Sequence, residues 1–262
     1  MTTTPAEGFP LTAAISPRVQ VVEQTGSTNA DLVVASADEA AYPHLSVLLT
    51  FDQRSGRGRL DRHWQAPAGS ALALSTLLRV AALPVHARGW IPLAAGAAMS
   101  AAIAAQLPGH DVRVKWPNDV LVDDRKICGI LAEATLALEA IVVGTGVNTA
   151  MASGQLPVPT ATSFAVLGAD CDVDRLIADY LTALDAHVRA LVAARGDADA
   201  SGLREAVVRA CETIGVTVAV AMPDGSELRG VATGLDADGR LLVDDAGRIT
   251  AVGAGDVTHV RR

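Results

Sequence analysis

From Gly89 to Gly109 the chain reads GWIPLAAGAAMSAAIAAQLPG, a run without one charged residue. A segment like this has two homes. It can cross a bilayer, which takes about 20 predominantly apolar residues, or it can sit at the centre of a folded core. The run is Ala- and Gly-heavy, holds Ser100 and Gln106, and carries a proline near each end. Pro92 suits a helix start and Pro108–Gly109 a stop. The reading is a buried core helix over Leu93–Leu107, with no membrane association.

Such a helix needs a large apolar surround. Half of the 262 residues are hydrophobic and 19% are charged, which fits a packed core rather than disorder. Aromatics are 3%, so Ala, Val and Leu do most of the filling. The length allows one large domain, or one with a small companion. MTTTPAEGFP at the start has no basic segment and no long apolar run, so a cytoplasmic protein is expected. Cys128, Cys171 and Cys211 lie far apart, with no CxxC and no histidine at metal spacing. They read as core thiols of a reducing compartment. A formal charge of −8 argues against a broad nucleic-acid-binding face, though it permits a local cationic pocket.

The pattern along the chain predicts an α+β fold. Residues 1–18 read as a leader. Strands are expected at 19–22, 46–51, 71–78, 112–116 and 120–122, then one through Ile130 and another at 141–143. Helices are expected from Thr28 to about Ala41, over Leu93–Leu107, over Asp174–Ala194 and over Leu203–Ile214. Several of these strands are joined by short turns, so the sheet is mixed or mostly antiparallel and flanked by helices. From Val216 the texture changes to short alternating segments cut by P-D-G, D-A-D-G and D-D-A-G. Turn signals at this spacing mark a small all-β barrel or sandwich. The expected organisation is a 19–214 catalytic domain followed by a 215–262 barrel, too small to stand well alone.

Against this acidic background, RSGRGRLDRHW at 54–64 concentrates four arginines and two glycines. Glycines let backbone approach a ligand closely, and guanidinium forks suit carboxylate or phosphate. A clamp for a small anion is the functional reading. Downstream, KWPNDVLVDDRKICGILAE at 115–133 places Asn118 and Asp119 in a turn between Lys115 and Lys126. Taken singly, these features also have plain structural readings: a W-P-N-D turn, Ser27 and Thr28 as helix caps, and Gly144–Asn148 as a tight connection.

Taken together, GRGR at 56–59, KWPND at 115–119, RK-x-x-GI-L-x-E at 125–133 and G-x-G-x-N at 144–148 resemble the biotin–protein ligases. Ser27-Thr28-Asn29, the lone Gln53, and G-x-A-x-G-L-D-x-D-G-x-L-x-V…AGDV-x-H-V at 230–260 extend the resemblance. It runs over nearly the whole chain from Val19. It implies a class II synthetase-like α+β catalytic domain with a C-terminal SH3-like barrel. The implied reaction is ATP-dependent conversion of biotin to biotinoyl-5′-AMP, then transfer to a lysine of a biotin carboxyl carrier protein of an acyl-CoA or pyruvate carboxylase.

Carried over by position, the resemblance implies biotin contacts from Ser27, Thr28, Asn29, Gln53, Gly56, Arg57, Gly58, Arg59, Lys126 and Gly129. It implies nucleotide contacts from Arg57, Arg59, Trp64, Lys115, Asn118 and Asn148. Lys126 and Arg59 are the expected catalytic cations, and Asp119 the ligand for Mg²⁺ arriving with ATP. No tightly bound cofactor is expected, and a weak homodimer is. The sequence departs from the family with L-D-R-H between Arg59 and Trp64, including Asp61, and with Arg54 where a small hydroxyl residue is usual. Eighteen residues before the first strand leave no room for the helix-turn-helix domain of some members, so DNA binding by that route is not expected.

Rival readings are weaker. A lipoate–protein ligase or octanoyltransferase would carry an R-R-x-S-G-G-G loop, which is missing. A non-catalytic biotin-binding regulator would not need Arg59 and Lys126 together. A Walker phosphate loop does not occur.

Overall fold

Strand alternation decides the architecture. Along β5 (Ala71–Arg79), Leu72, Leu74 and Leu78 enter the main core, while Ser75 and Leu77 face the opposite side. Such a strand must be covered on both faces. In the computed structural model, which describes residues 8–59, 62–222, 225–253 and 255–260, it lies centrally in a seven-stranded sheet. Asp61, most of the leader's first half and part of the P-D-G turn lie outside the described residues.

The other strands of this sheet are β1 (Val19–Val21), β2 (Val47–Thr50), β6 (Val112–Lys115), β7 (Asp119–Val122), β8 (Arg125–Ala134) and β9 (Ala140–Asn148). Their order is β1-β2-β5-β9-β8-β7-β6, with β1 and β2 parallel and every other pair antiparallel. A two-stranded hairpin of β3 (Gly56–Arg57) and β4 (His63–Trp64) stands inside the arginine-rich stretch.

One face carries the core beneath α3 (Trp90–Gln106) and α4 (Val173–Ala193). The uncharged run is therefore α3, and no helix among the described residues is long and apolar enough to cross a membrane. The helix begins at Trp90, three residues ahead of the expected start. Pro92 sits in its first turn, where a missing N–H costs nothing. Gln106 exchanges hydrogen bonds with Asp172 N (3.0 Å) and Asp172 O (2.9 Å), and Asp172 caps α4.

The opposite face is only partly covered. α2 (Thr28–Ala35) packs over a small cluster of Leu32, Leu48, Leu77, Ala140 and Val142. It stops at Ala35 rather than near Ala41, because Arg79 Nη2 donates to the carbonyls of Ser36 (2.7 Å) and Tyr42 (2.9 Å) and fixes that segment as a turn. The short helix leaves the rest of this sheet face open.

Three further expectations are revised. Within the leader, α1 (Pro10–Ala13) forms and docks on α4 through Asp174. Gly144–Asn148 is the second half of β9 rather than a tight connection. The last helix, α5 (Leu203–Ala210), ends before Ile214, because Cys211 bridges to Val114 and Glu212 N donates to Val114 O at 2.9 Å. Beyond it, β10 (Thr217–Ala221), β11 (Glu227–Leu235), β12 (Leu241–Asp245), β13 (Arg248–Val252) and β14 (Asp256–His259) form an antiparallel sheet of order β13-β12-β11-β10-β14. No ladder joins its two edge strands among the described residues. This all-β unit is fastened to the first by two indoles: Trp90 Nε1 donates to Ala237 O (2.8 Å) and Trp116 Nε1 to Gly239 O (3.3 Å).

Candidate active site

On the open sheet face, register brings Ala73, Gly146, Gly129 and Asp119 into one row across β5, β9, β8 and β7. The next row aligns Ser75, Gly144 and Leu131. Paired residues point to the same side of a sheet, so small residues make a floor there. Side chains from other elements use the space that this floor leaves. A Cβ on Gly146 would come within 2.6 Å of the Trp64 indole, and one on Gly144 would collide with the Asn29 carboxamide.

Above the floor is a cleft of about 170 Å³. Its β2–β5 end is neutral and hydrogen-bonding. Ser27 caps α2, accepting from Ala30 N at 3.4 Å, so Thr28 and Asn29 open the helix. Gln53 Oε1 accepts from Thr28 N (2.9 Å) and Thr28 Oγ1 (3.2 Å). Ser75 Oγ stands 2.6 Å from Asn29 Oδ1 and 2.8 Å from Thr28 Oγ1. Ser27, Thr28 and Asn29 are all buried. This polar cluster is thus held rigidly by its own partners.

The other end is charged. Lys126 Nζ lies 2.6 Å from Asp119 Oδ1. A register shift between β7 and β8 pairs Val120 with Cys128 and Leu121 with Lys126, leaving Ile127 as the extra residue. That bulge buries both Ile127 and Cys128 while Lys126 reaches the cleft. Lys126 is further fixed by the segment after β9: its N–H donates to Thr160 O and its carbonyl accepts from Thr162 N, both at 2.8 Å. Arg59 Nη1 donates to Asn118 Oδ1 at 3.3 Å. Burial pushes the Arg59 guanidinium below its ordinary pKa, with Asp119 opposing that shift and Arg62 adding to it. A half-buried cation here favours an incoming anion.

The cleft therefore brings together Ser27, Thr28, Asn29, Gln53, Arg57, Gly58, Arg59, Trp64, Asn118, Asp119, Lys126 and Gly129. Three of the expected residues stand outside its lining. Gly56 lies just behind, packed against Gln53 and Trp64. Lys115 sits directly across from Asp119 on β6. Asn148 is buried, its Nδ2 donating to Thr162 O at 2.9 Å, and so anchors the segment that flanks Lys126. Arg54 turns away from the cleft and pairs with Asp52 at 2.5 Å.

Sequence reasoning missed Ala73 and the buried hydroxyl of Ser75, and it gave Gly144, Gly146 and Glu133 no role beyond their places in the G-x-G-x-N and RK-x-x-GI-L-x-E motifs. Period-2 alternation from Ser75 would have found Ala73. The motif at 125–133 ends in Glu133, but its partners Asn29 and Arg57 are distant in sequence, so its role shows only in the folded chain.

Residues 21–148 match the biotin/lipoate A/B protein ligase family, and residues 213–260 the biotin protein ligase C-terminal domain. Over 247 residues the chain is 39% identical to the biotin–[acetyl-CoA-carboxylase] ligase of Mycobacterium tuberculosis, covering 93% of this chain and 90% of that one. It is 33% identical over 212 residues to the bifunctional ligase/repressor BirA of Escherichia coli, covering 79% of this chain and 64% of BirA. The fold is similar to that of the Aquifex aeolicus biotin protein ligase solved with biotin and ATP, with a TM-score of 0.74 at 21% identity over 94% of this chain and 99% of that one. The Leishmania major enzyme solved with biotinyl-5-AMP gives a TM-score of 0.60 at 21% identity, over 94% and 99%. With both parts of the chain matched in order and a relative similar along almost its full length, the chain belongs to the biotin protein ligase family.

Proposed function

We infer that this protein is an enzyme that activates biotin with ATP and transfers it to a lysine of a carboxylase's biotin carboxyl carrier domain. The observation that carries this reading is the polarity of the cleft. A neutral hydrogen-bonding group under α2 and a cationic end at Lys126 and Arg59 share one floor of small residues, Ala73, Gly146 and Gly129. Biotin has that polarity, with an uncharged ureido ring at one end and a carboxylate at the other.

In this reading Ser27, Thr28, Asn29 and Gln53 hold the ureido group. The backbone of Gly56, Arg57 and Gly58 covers it, and Gly129 gives the acyl chain its floor. Lys126 and Arg59 draw the carboxylate and the α-phosphate together against their repulsion. Charge-assisted hydrogen bonds of this kind contribute about 1.5–3 kcal/mol each. A carboxylate oxygen then attacks the α-phosphorus, the bond to the pyrophosphate leaving group breaks, and the mixed anhydride forms. Holding the two groups in line supplies a further large effective-molarity gain.

Trp64 and Asn118 belong to the nucleotide side in this account, while Asn148 acts only by anchoring the segment that flanks Lys126, and Lys115 by facing Asp119 across β6 and β7. In the second half-reaction the acceptor lysine amine, having lost a proton, attacks the acyl carbon and AMP leaves. No enzyme nucleophile is required.

Asp119 is the carboxylate of the cleft, and no group of three or more His, Cys, Asp or Glu side chains among the described residues could hold a metal ion. The donor set thus fits a Mg²⁺ shared with phosphate oxygens rather than caged by protein, as a hard ion that keeps several non-protein ligands. Such an ion would screen phosphate charge as Lys126 leaves Asp119. A reducing, cytoplasmic setting accords with three free cysteines, of which Cys128 and Cys171 are pushed up to about 12 by burial.

The test is ATP-dependent transfer of biotin to a purified biotin carboxyl carrier domain, read by avidin blot. Labelling confined to the carrier lysine supports the reading. Absence of label with a folded enzyme and a competent carrier overturns it.

A further inference from the structure

Glu133, on β8, does not line the cleft, yet both its carboxylate oxygens are engaged. Oε1 lies 2.9 Å from Arg57 Nη2, on the β3 hairpin. Oε2 accepts from Asn29 Nδ2 at 2.8 Å, at the start of α2. One side chain therefore ties three elements: the central sheet, the helix end that carries the neutral part of the site, and the hairpin above it. The hairpin's other seats converge on the same place. Gly56 packs against Gln53 and the Trp64 backbone, and the Trp64 indole rests on Gly146. The charge balance also separates the loop arginines. Arg54 is neutralised by Asp52 and Arg57 by Glu133, whereas the Arg59 guanidinium donates to the uncharged Asn118.

We propose that Glu133 is a positioning residue that holds the arginine-bearing hairpin over the cleft through Arg57, so that Arg57 acts as a strut and Arg59 as the anion-binding guanidinium. The proposal rests on the adenylation reading above for its kinetic consequence, but not for its structural one. Because Arg57 is half exposed, with a side-chain exposure of 52% against 24% for Glu133, the strut is modest. Exposed ion pairs of this type correspond to about a two- to five-fold change in an equilibrium.

The test compares wild type with Glu133→Gln, Arg57→Gln and the double variant in two assays. Gln at 133 keeps an acceptor for Asn29 and removes only the charge. The first assay is limited chymotrypsin cleavage within residues 54–64 of ligand-free protein, since that protease does not cut at the substituted arginine. The second is release of preformed biotinoyl-AMP at low and high salt. Each single variant should accelerate both by about two- to five-fold, the double variant no further, and Tm should stay unchanged. Raising salt should shrink the difference between wild type and the variants, because it screens the Arg57–Glu133 pair.

Unchanged rates, or additive effects in the double variant, overturn the proposal. Slower release from Glu133→Gln also overturns it, since the substrate anion would then be taking Arg57 away from Glu133. If wild type makes no adenylate, the functional reading fails and the cleavage assay alone decides the strut. If Glu133→Gln is unstable, Arg57→Gln decides it from the exposed partner.

Discussion

Lys126 Nζ and Asp119 Oδ1 lie 2.6 Å apart on neighbouring strands, at the cationic end of a floor made of Ala73, Gly146 and Gly129. The Lys126 side chain is 40% exposed, so its ammonium can move from this carboxylate to an incoming anion. Its contribution should therefore show in chemistry rather than in stability. Lys126→Gln is expected to lower the rate of adenylate formation by about 10²–10³-fold, the scale of losing one preorganised transition-state contact. Tm should match wild type. Single-turnover measurement of biotinoyl-AMP formation checks this; a rate within a few-fold of wild type would remove Lys126 from its assigned place.

The glycine floor makes a second prediction. A methyl group at position 144 collides with Asn29, whose carboxamide is already held by Ser75, Leu131 O and Glu133. Gly144→Ala must displace that network at a cost of about 1–3 kcal/mol. KM for biotin should rise by about ten-fold or more, corresponding to that range, while KM for ATP changes little. Steady-state kinetics with each substrate varied in turn would separate the two.

Asp174 governs a different property. It is 6% exposed and accepts from Leu11 N (2.8 Å), Thr12 N (2.8 Å) and Thr12 Oγ1 (2.7 Å), docking α1 on α4. Asp174→Ala strands these donors at a cost of about 1–3 kcal/mol. At about 2–4 °C per kcal/mol for a chain of this size, Tm should fall by several degrees. Biotin transfer below the transition should persist, because the site lies on the other face of the sheet.

His187, on α4, is half-buried, and burial alone pushes its imidazole below the usual value. The folded state thus binds this proton less readily than the unfolded chain does. The associated stability is fully present above about pH 6.5, the unfolded value, and is lost as pH falls from there through the lower folded value. Tm measured from pH 8 to pH 5 should decline, and His187→Gln should flatten that decline. Identical slopes for the two proteins would contradict the assignment.

Much of this was legible in the sequence, for physical reasons that can be named. The uncharged stretch from Gly89 to Gly109 read as core because of its polar residues and its prolines near each end, and it became α3. Gly-Arg alternation at 56–59 and the W-P-N-D turn were local signals, and the site formed where they meet. Other features depend on register, which no local pattern reveals. G-T-G-V-N at 144–148 lacks strand-forming alternation and reads as a connection, yet pairing with both β5 and β8 holds it as a strand. Four arginines read as one clamp, but the ion pairs that divide them, Arg54 with Asp52 and Arg57 with Glu133, appear only once the chain is folded. The helix expected to reach Ala41 was cut short by Arg79, a residue about forty positions away in sequence.

The most direct test of the central claim is biotin-dependent exchange of pyrophosphate into ATP, with lipoate and octanoate as control acids. It reads formation of the acyl-adenylate without any acceptor protein. Exchange with biotin and none with the other two acids is the predicted result. Exchange driven by lipoate or octanoate, or none with biotin although biotin binds, would contradict the account.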